Sequence, residues 1–300
     1  MYTIELDKAR KAYGDFVAVN DLSFSIEKGS VFGLLGPNGA GKTSTIRMMI
    51  GITAPDSGQI RTFGEPFNRK HLHRVGYLPE ERGLYKKMRV LDHLIFLGEL
   101  HGLSAAMARQ KAIEWCTKLE ITEKLQSKVE ELSKGMQQKI QFIAAVMHDP
   151  EFVIMDEPFF GLDPVNATLL KDVLLELKKQ GKTILFSTHR MDQVEKLCDA
   201  ICLINRGTAV LQGVLKTIKG QHGKNTVQIE YEGDGVFLEN NPLVGSFNNY
   251  GNYVEVRLAP GADAQQLLRT VMERSRVNRF ELMEPSLEEI FIEVVGKDNA

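Results

Sequence analysis

Short apolar runs at residues 31–35, 152–155 and 183–186 lie close to Gly, Pro or Asp and show no alternation of polar and apolar positions. Such runs suit strands of a parallel sheet covered on both faces. Between the last two, Leu169, Leu170, Val173, Leu174 and Leu177 recur at helical spacing, and Gly181 stands where a helix should stop. The spacing predicts a helix over 166–180 and a strand, helix, strand unit around it. Residues 88–149 carry almost no strand pattern and read as several helices, including 105–119 and 134–147, which makes a helical insert within an α/β domain. From about Thr217 the texture changes. A joint at 219–225 rich in Gly, His, Lys and Asn precedes alternating segments at 226–231 and 253–258 and a helical stretch at 262–273. Ser286 and Glu289 then form a capping-box pattern ahead of Leu287, Ile290, Phe291 and Val294. The expected domains are 1–216, with a helical part at about 86–150, and a small α+β domain at 217–300. No internal repeat is visible.

Composition narrows the class. The 300 residues are 43% hydrophobic and 25% charged, ordinary for a globular chain and unlike a disordered or fibrous one. Lys and Arg number 37 against 39 Asp and Glu, so there is no basic surplus of the kind that binds nucleic acid, and none is expected as a partner. Cys116, Cys198 and Cys202 are too few and too scattered for a disulfide framework or a four-ligand zinc site, which fits a reducing cytoplasm. No apolar stretch approaches the ~20 residues that cross a bilayer, and the charged start is unlike a signal peptide.

The chemistry begins with Gly36, Pro37, Asn38, Gly39, Ala40, Gly41, Lys42 and Thr43, a full phosphate-loop pattern between a predicted strand and a predicted helix. Glycines let successive N–H groups curl around phosphate oxygens at the positive end of the helix. Lys42 would reach the β and γ phosphates, and the Thr43 hydroxyl would bind Mg²⁺. The run 152–155 delivers Asp156 and Glu157 to the sheet edge where ligands bind in this fold class. Asp156 is placed to hold Mg²⁺ through water, and Glu157 to accept a proton from an attacking water.

Residues 132–138, Leu-Ser-Lys-Gly-Met-Gln-Gln, resemble the signature of ATP-binding cassette ATPases. The other marks follow in family order over about 4–213. Tyr13 resembles the aromatic that stacks on adenine, Glu80 stands at the Q-loop, 161–163 is similar to a D-loop, and His189 ends a strand as the switch histidine does. The resemblance implies a P-loop cassette: a RecA-like core with an antiparallel edge and a helical subdomain, followed here by the small α+β domain. It implies an ATPase that binds ATP and Mg²⁺. Nucleotide contacts would come from Tyr13, residues Gly36 to Ser44, Glu80, Ser133, Gly135 and Asp163. Metal would be held by Thr43, Glu80 and Asp156, and catalysis carried by Lys42, Glu157 and His189. Ser133 and Gly135 would meet the γ phosphate of a second subunit, in a homodimer or a heterodimer with another cassette. A separate integral membrane permease would be driven from the cytoplasmic face. Residues 76–88 and 285–296 resemble ATPase subunits of sodium-extrusion exporters. Three positions depart from the commonest pattern: Glu80 for Gln, Met136 for Gln and Phe160 for Ser. Competing readings are a soluble cassette ATPase acting on ribosomes or nucleic acid, and a nucleotide sensor that does not hydrolyse. The first lacks the second cassette or coiled-coil insertion usual in such proteins, while the second must explain why Lys42, Glu157 and His189 all persist.

Overall fold

The computed structural model describes residues 1–81, 83–221, 226–233 and 235–297. Positions 222–225 of the expected joint and Arg82 of the 76–88 segment lie outside the described residues. The chain divides into two units, Met1–Gly213 and Val214–Ala300.

In chain order the first unit runs β1 (Tyr2–Tyr13), β2 (Phe16–Glu27), β3 (Val31–Leu35), α1 (Lys42–Met49), β4 (Ser57–Thr62), β5 (Glu65–Pro66), β6 (Val75–Leu78), α2 (Val90–Leu100), α3 (Ala105–Lys118) and α4 (Lys134–Val146). It continues with β7 (Phe152–Asp156), α5 (Pro164–Lys179), β8 (Thr183–Thr188), α6 (Met191–Leu197), β9 (Ala200–Asn205) and β10 (Thr208–Val214). One sheet, ordered β2-β1-β4-β5, is antiparallel. The other is ordered β10-β9-β3-β8-β7-β6, and its pairs from β9 to β6 are parallel. This is the α/β cassette with an antiparallel edge that the sequence pattern and the resemblance imply.

The uninterrupted apolar runs are the central strands. Every residue of β3, β7 and β8 is buried, as a sheet covered on both faces requires. The strands at 152–155 and 183–186 extend further than their apolar runs, to Asp156 and Thr188, because polar side chains at their ends are satisfied within the site described below. Helix α5 begins two residues before the predicted start. Asp163 caps it by accepting from the Val165 and Asn166 N–H groups (both 3.0 Å), and Pro164 sits at the first helical position, where its missing N–H costs nothing.

The region between β6 and β7 is helical, with α2, α3 and α4 packed together around Leu94, Ala108, Ala112, Cys116, Phe142 and Ile143. Trp115 on α3 meets Phe142 on α4 edge to face, with ring centroids 6.0 Å apart. Gly76 in β6 lets α4 come close: a Cβ there would stand 2.0 Å from the Ala145 carbonyl oxygen.

The second unit opens with α7 (Leu215–Gln221), followed by β11 (Thr226–Glu232), α8 (Val236–Glu239), β12 (Val244–Asn249), β13 (Val254–Leu258), α9 (Ala264–Arg274), β14 (Arg276–Met283) and α10 (Leu287–Lys297). The four strands form an antiparallel sheet ordered β12-β13-β11-β14. Val227, Ile229, Leu238, Val254, Val256, Leu267 and Val271 make a core of its own. The first part of the expected joint is helical, because Leu215 and Ile218 are spaced to share the buried side of α7. Among the described residues no helix is long and apolar enough to cross a membrane.

Candidate functional site

Strands β3, β7 and β8 lie side by side in parallel register, Leu35 beside Thr188 and Asp156 beside Ser187. Their C-terminal ends therefore present the phosphate loop, the two carboxylates and His189 along one sheet edge. The loop is shaped by glycine. Gly36 adopts φ 150° and a Cβ there would lie 2.2 Å from the Ile204 carbonyl oxygen, while Gly41 adopts φ 109° with a Cβ position 2.3 Å from the Ala18 carbonyl oxygen. Any side chain at either position would collide with backbone.

A cleft of about 260 Å³ opens at this edge, lined by Phe16, Ala18, Asn38, Gly39, Gly41, Lys42, Thr43, Ser44, Glu80, Asp156 and Glu157. A larger hollow of about 620 Å³ beside Met48, Pro55, Ile60 and Phe67 has no carboxylate in its lining and carries no comparable chemistry. Lys42 Nζ donates to the carbonyls of Gly36 (2.8 Å) and Pro37 (3.1 Å), so the ammonium is held inside the loop. Burial pulls its pKa below the usual lysine range, and Glu157, Asp156 and Glu80 oppose that fall. The Thr43 hydroxyl donates to Asp156 Oδ2 at 2.9 Å, and the Ser187 hydroxyl donates to Asp156 Oδ1. Asp156 is buried and its carboxylate is fixed from both sides.

Glu157 is held as firmly. Its backbone adopts φ 49°, a left-handed conformation uncommon for a non-glycine residue. Thr188 Oγ1 donates to Oε2 (3.0 Å), while the His189 N–H (3.0 Å) and ring Nδ1 (2.7 Å) reach Oε1. An ionised carboxylate only accepts, so Nδ1 carries the proton in this contact. The imidazole is half exposed, at 49%, and the Glu157 side chain is 11% exposed. His189 thus reaches the cleft through Glu157.

The remaining candidates stand elsewhere. Ser133 caps α4, its hydroxyl accepting from the Met136 N–H (3.3 Å), and Gly135 approaches the D-loop-like segment, a Cβ there lying 3.6 Å from the Gly161 carbonyl oxygen. Neither lines the cleft beside Lys42 of the same chain. Asp163 is exposed and spent on capping α5; its hydrogen bonds from Asn166 and Val165 lower its pKa. Tyr13 is outside the cleft lining, and the aromatic there is Phe16, paired with it across the β1–β2 hairpin. Phe16, Ala18, Ser187 and Thr188 were not singled out from sequence. An aromatic just past the Gly14-Asp15 pair is the signal for Phe16 that the sequence holds.

For magnesium, the donors fit. Three carboxylates and a hydroxyl supply hard oxygens around one lysine, an excess of negative charge that would repel a triphosphate unless a cation intervened. Among the described residues no three His, Cys, Asp or Glu side chains form a complete metal cage. Magnesium bound mainly through phosphate oxygens and water, with one or two protein ligands, does not need one.

Comparison with known proteins turns on the same regions. Residues 19–160 match the ABC transporter family and 213–295 match the C-terminal domain of DrrA1-3-like ATP-binding proteins. The uncharacterised ABC transporter ATP-binding protein YhaQ of Bacillus subtilis (strain 168) is 44% identical over 98% of this chain and 98% of its own length. This chain belongs to the ABC transporter ATP-binding proteins. As an ABC transporter ATPase subunit it also resembles the Nod factor export ATP-binding protein I of Paraburkholderia xenovorans (strain LB400), 36% identical over 98% of this chain and 97% of that one. Among solved structures, an ATP-binding subunit of an ABC transporter superposes with TM-score 0.68 at 30% identity, covering 74% of this chain and 93% of the other. The ABC ATPase therefore carries an appended DrrA-like C-terminal domain.

Proposed function

We propose that this subunit powers a membrane exporter by closing on a second cassette around two ATP molecules and reopening after hydrolysis. The observation that carries the reading is the separation within one chain: Lys42, Thr43, Asp156 and Glu157 share a cleft that Ser133 and Gly135 do not enter. Those two residues form an exposed helix start with N–H groups suited to an anion, and a second copy or another cassette would bring them to the γ phosphate. Bound ATP with Mg²⁺ supplies the phosphoryl group and the metal that neutralises its charge. Lys42 orients the β and γ phosphates, Thr43 and Asp156 hold the metal side of the cleft, and Glu157 aligns the attacking water and takes its proton. His189 and Thr188 keep the Glu157 carboxylate aimed. Phe16 and Tyr13 are the aromatics available to stack on adenine. A permease in a separate chain receives the motion on the cytoplasmic face of the membrane. Export is supported by the resemblance of residues 76–88 and 285–296 to sodium-extrusion ATPases and by the Nod factor relative.

Three variants test this. Lys42→Ala should weaken ATP binding at least about tenfold, since a charge-assisted phosphate contact is lost. Glu157→Gln keeps shape but not basicity, so hydrolysis should fall about 100-fold or more while ATP binds and holds a dimer. Adding Ser133→Arg to that variant should abolish the dimer and leave ATP bound to the monomer. Light scattering and nucleotide titration read both properties; a dimer that survives Ser133→Arg contradicts a site shared across two chains.

A further inference from the structure

Helix α4, whose tip is Ser133, carries two buried glutamines three residues apart, Gln138 and Gln141. Positions i and i+3 are neighbours on a helix surface, so both amides leave α4 on the same side. Gln138 Nε2 donates to the Pro158 carbonyl at 3.1 Å, next to Glu157. Gln141 Nε2 donates to two carbonyls, Pro79 at 2.9 Å and Glu81 at 3.1 Å, which flank Glu80. Two acceptors on one nitrogen use both hydrogens of the amide and fix which way it points.

Packing alone does not explain glutamine here. Gln141 Oε1 is buried with no hydrogen-bond partner among the described residues, a cost that an apolar side chain of equal size would avoid. What glutamine provides in return is the pair of donated bonds. The surrounding backbone makes them firm, because β6 runs straight into Pro79 and α4 is seated against Gly76 of that strand through Ala145, four residues along the helix from Gln141. The bend that carries Glu80 into the nucleotide cleft is therefore fastened to α4 at Gln141, and its strand is fastened at Ala145.

We propose that Gln141 is a positioning residue for Glu80, tying the carboxylate at one nucleotide to the helix whose Ser133 tip serves the other. The first half of that statement holds within a single chain; the second rests on the two-cassette reading above. Movement of α4 would then be transmitted to Glu80 through two hydrogen bonds, without any contact between Gln141 and the nucleotide.

Gln141→Met keeps length and volume and removes both donors, while Gln141→Glu turns a carboxylate toward two carbonyl oxygens. In the nucleotide-free full chain, the backbone carbonyl carbon resonances of Pro79 and Glu81, which accept from Gln141, should shift in Gln141→Met, with those of β7 and β8 unchanged. In calorimetric titration, Gln141→Met should weaken ATP binding about fivefold with Mg²⁺ present and leave it unaltered in a chelator. In a Glu80→Ala background, adding Gln141→Met should produce no further change in the Mg²⁺ dependence, because the residue acts through Glu80. Full additivity there overturns the assignment. So do unchanged carbonyl resonances and Mg²⁺ dependence in both Gln141 variants when the wild type binds and hydrolyses ATP, and that result leaves the proposed function standing. A wild type that binds no ATP overturns the function instead, and the carbonyl resonances still judge Gln141.

Discussion

His93 on α2 is wholly buried, with neither ring nitrogen hydrogen-bonded among the described residues, and its ring lies 5.7 Å from that of Tyr85. Burial pushes its pKa down to about 4. At pH 7 the folded ring is uncharged and the unfolded one mostly so, and protonation costs little there. As pH falls below 6.5 the unfolded chain takes up a proton that the folded one refuses until about 4, and stability is lost across that window. At pH 5 the loss should be about 2 kcal/mol from this side chain. Urea denaturation at pH 7 and pH 5 should show it, and His93→Phe should remove that share of the pH dependence; an unchanged pH slope in the variant would place the titration elsewhere. At this scale the sequence discloses residues whose partners are near in the chain or fixed by a motif, such as Lys42, Thr43 and Asp156. Phe16, Ser187 and Thr188 escape it because their roles depend on which strands lie beside β3 and β7, and Gln141 escapes because its acceptors are about 60 residues away.

Among the elements, the seat of α4 on β6 is a matter of space rather than of unusual backbone. A methyl group at Gly76 would collide with the Ala145 carbonyl and stand 3.0 Å from the Pro150 ring, and neither neighbour can rotate away. Gly76→Ala should therefore destabilise the first unit by about 3 kcal/mol, at the upper end of what overpacking costs, and displace the Glu80 bend with it. Chemical denaturation checks the first effect. A variant as stable as the wild type would mean that α4 can lift without penalty. The sequence showed α4 and α5 clearly, since each has a strong apolar period and α4 also a capping residue in Ser133; the Asp163 cap of α5 went unread, and that helix starts two residues earlier than its period indicates. It showed α7 poorly: seven residues with Leu215 and Ile218 as the buried positions give too little period to separate a short helix from a linker.

For the whole molecule, the division after Gly213 leaves every cleft residue in the first unit and a separate apolar core in the second. A chain ending at Gly213 should fold and bind ATP with unchanged affinity, as circular dichroism and titration would show; an unfolded fragment would mean that residues beyond Val214 complete the first core. The fold class was legible because parallel strands with buried runs leave few alternatives, whereas the change at Thr217 marked the junction only by texture. Two cores also mean that one melting temperature is not a property of this chain. Its single tryptophan, Trp115, is packed on Phe142 in the first unit. Intrinsic tryptophan fluorescence is thus an optical probe of the cassette alone, and a thermal scan followed by it would trace one clean transition while the appended domain melted unseen.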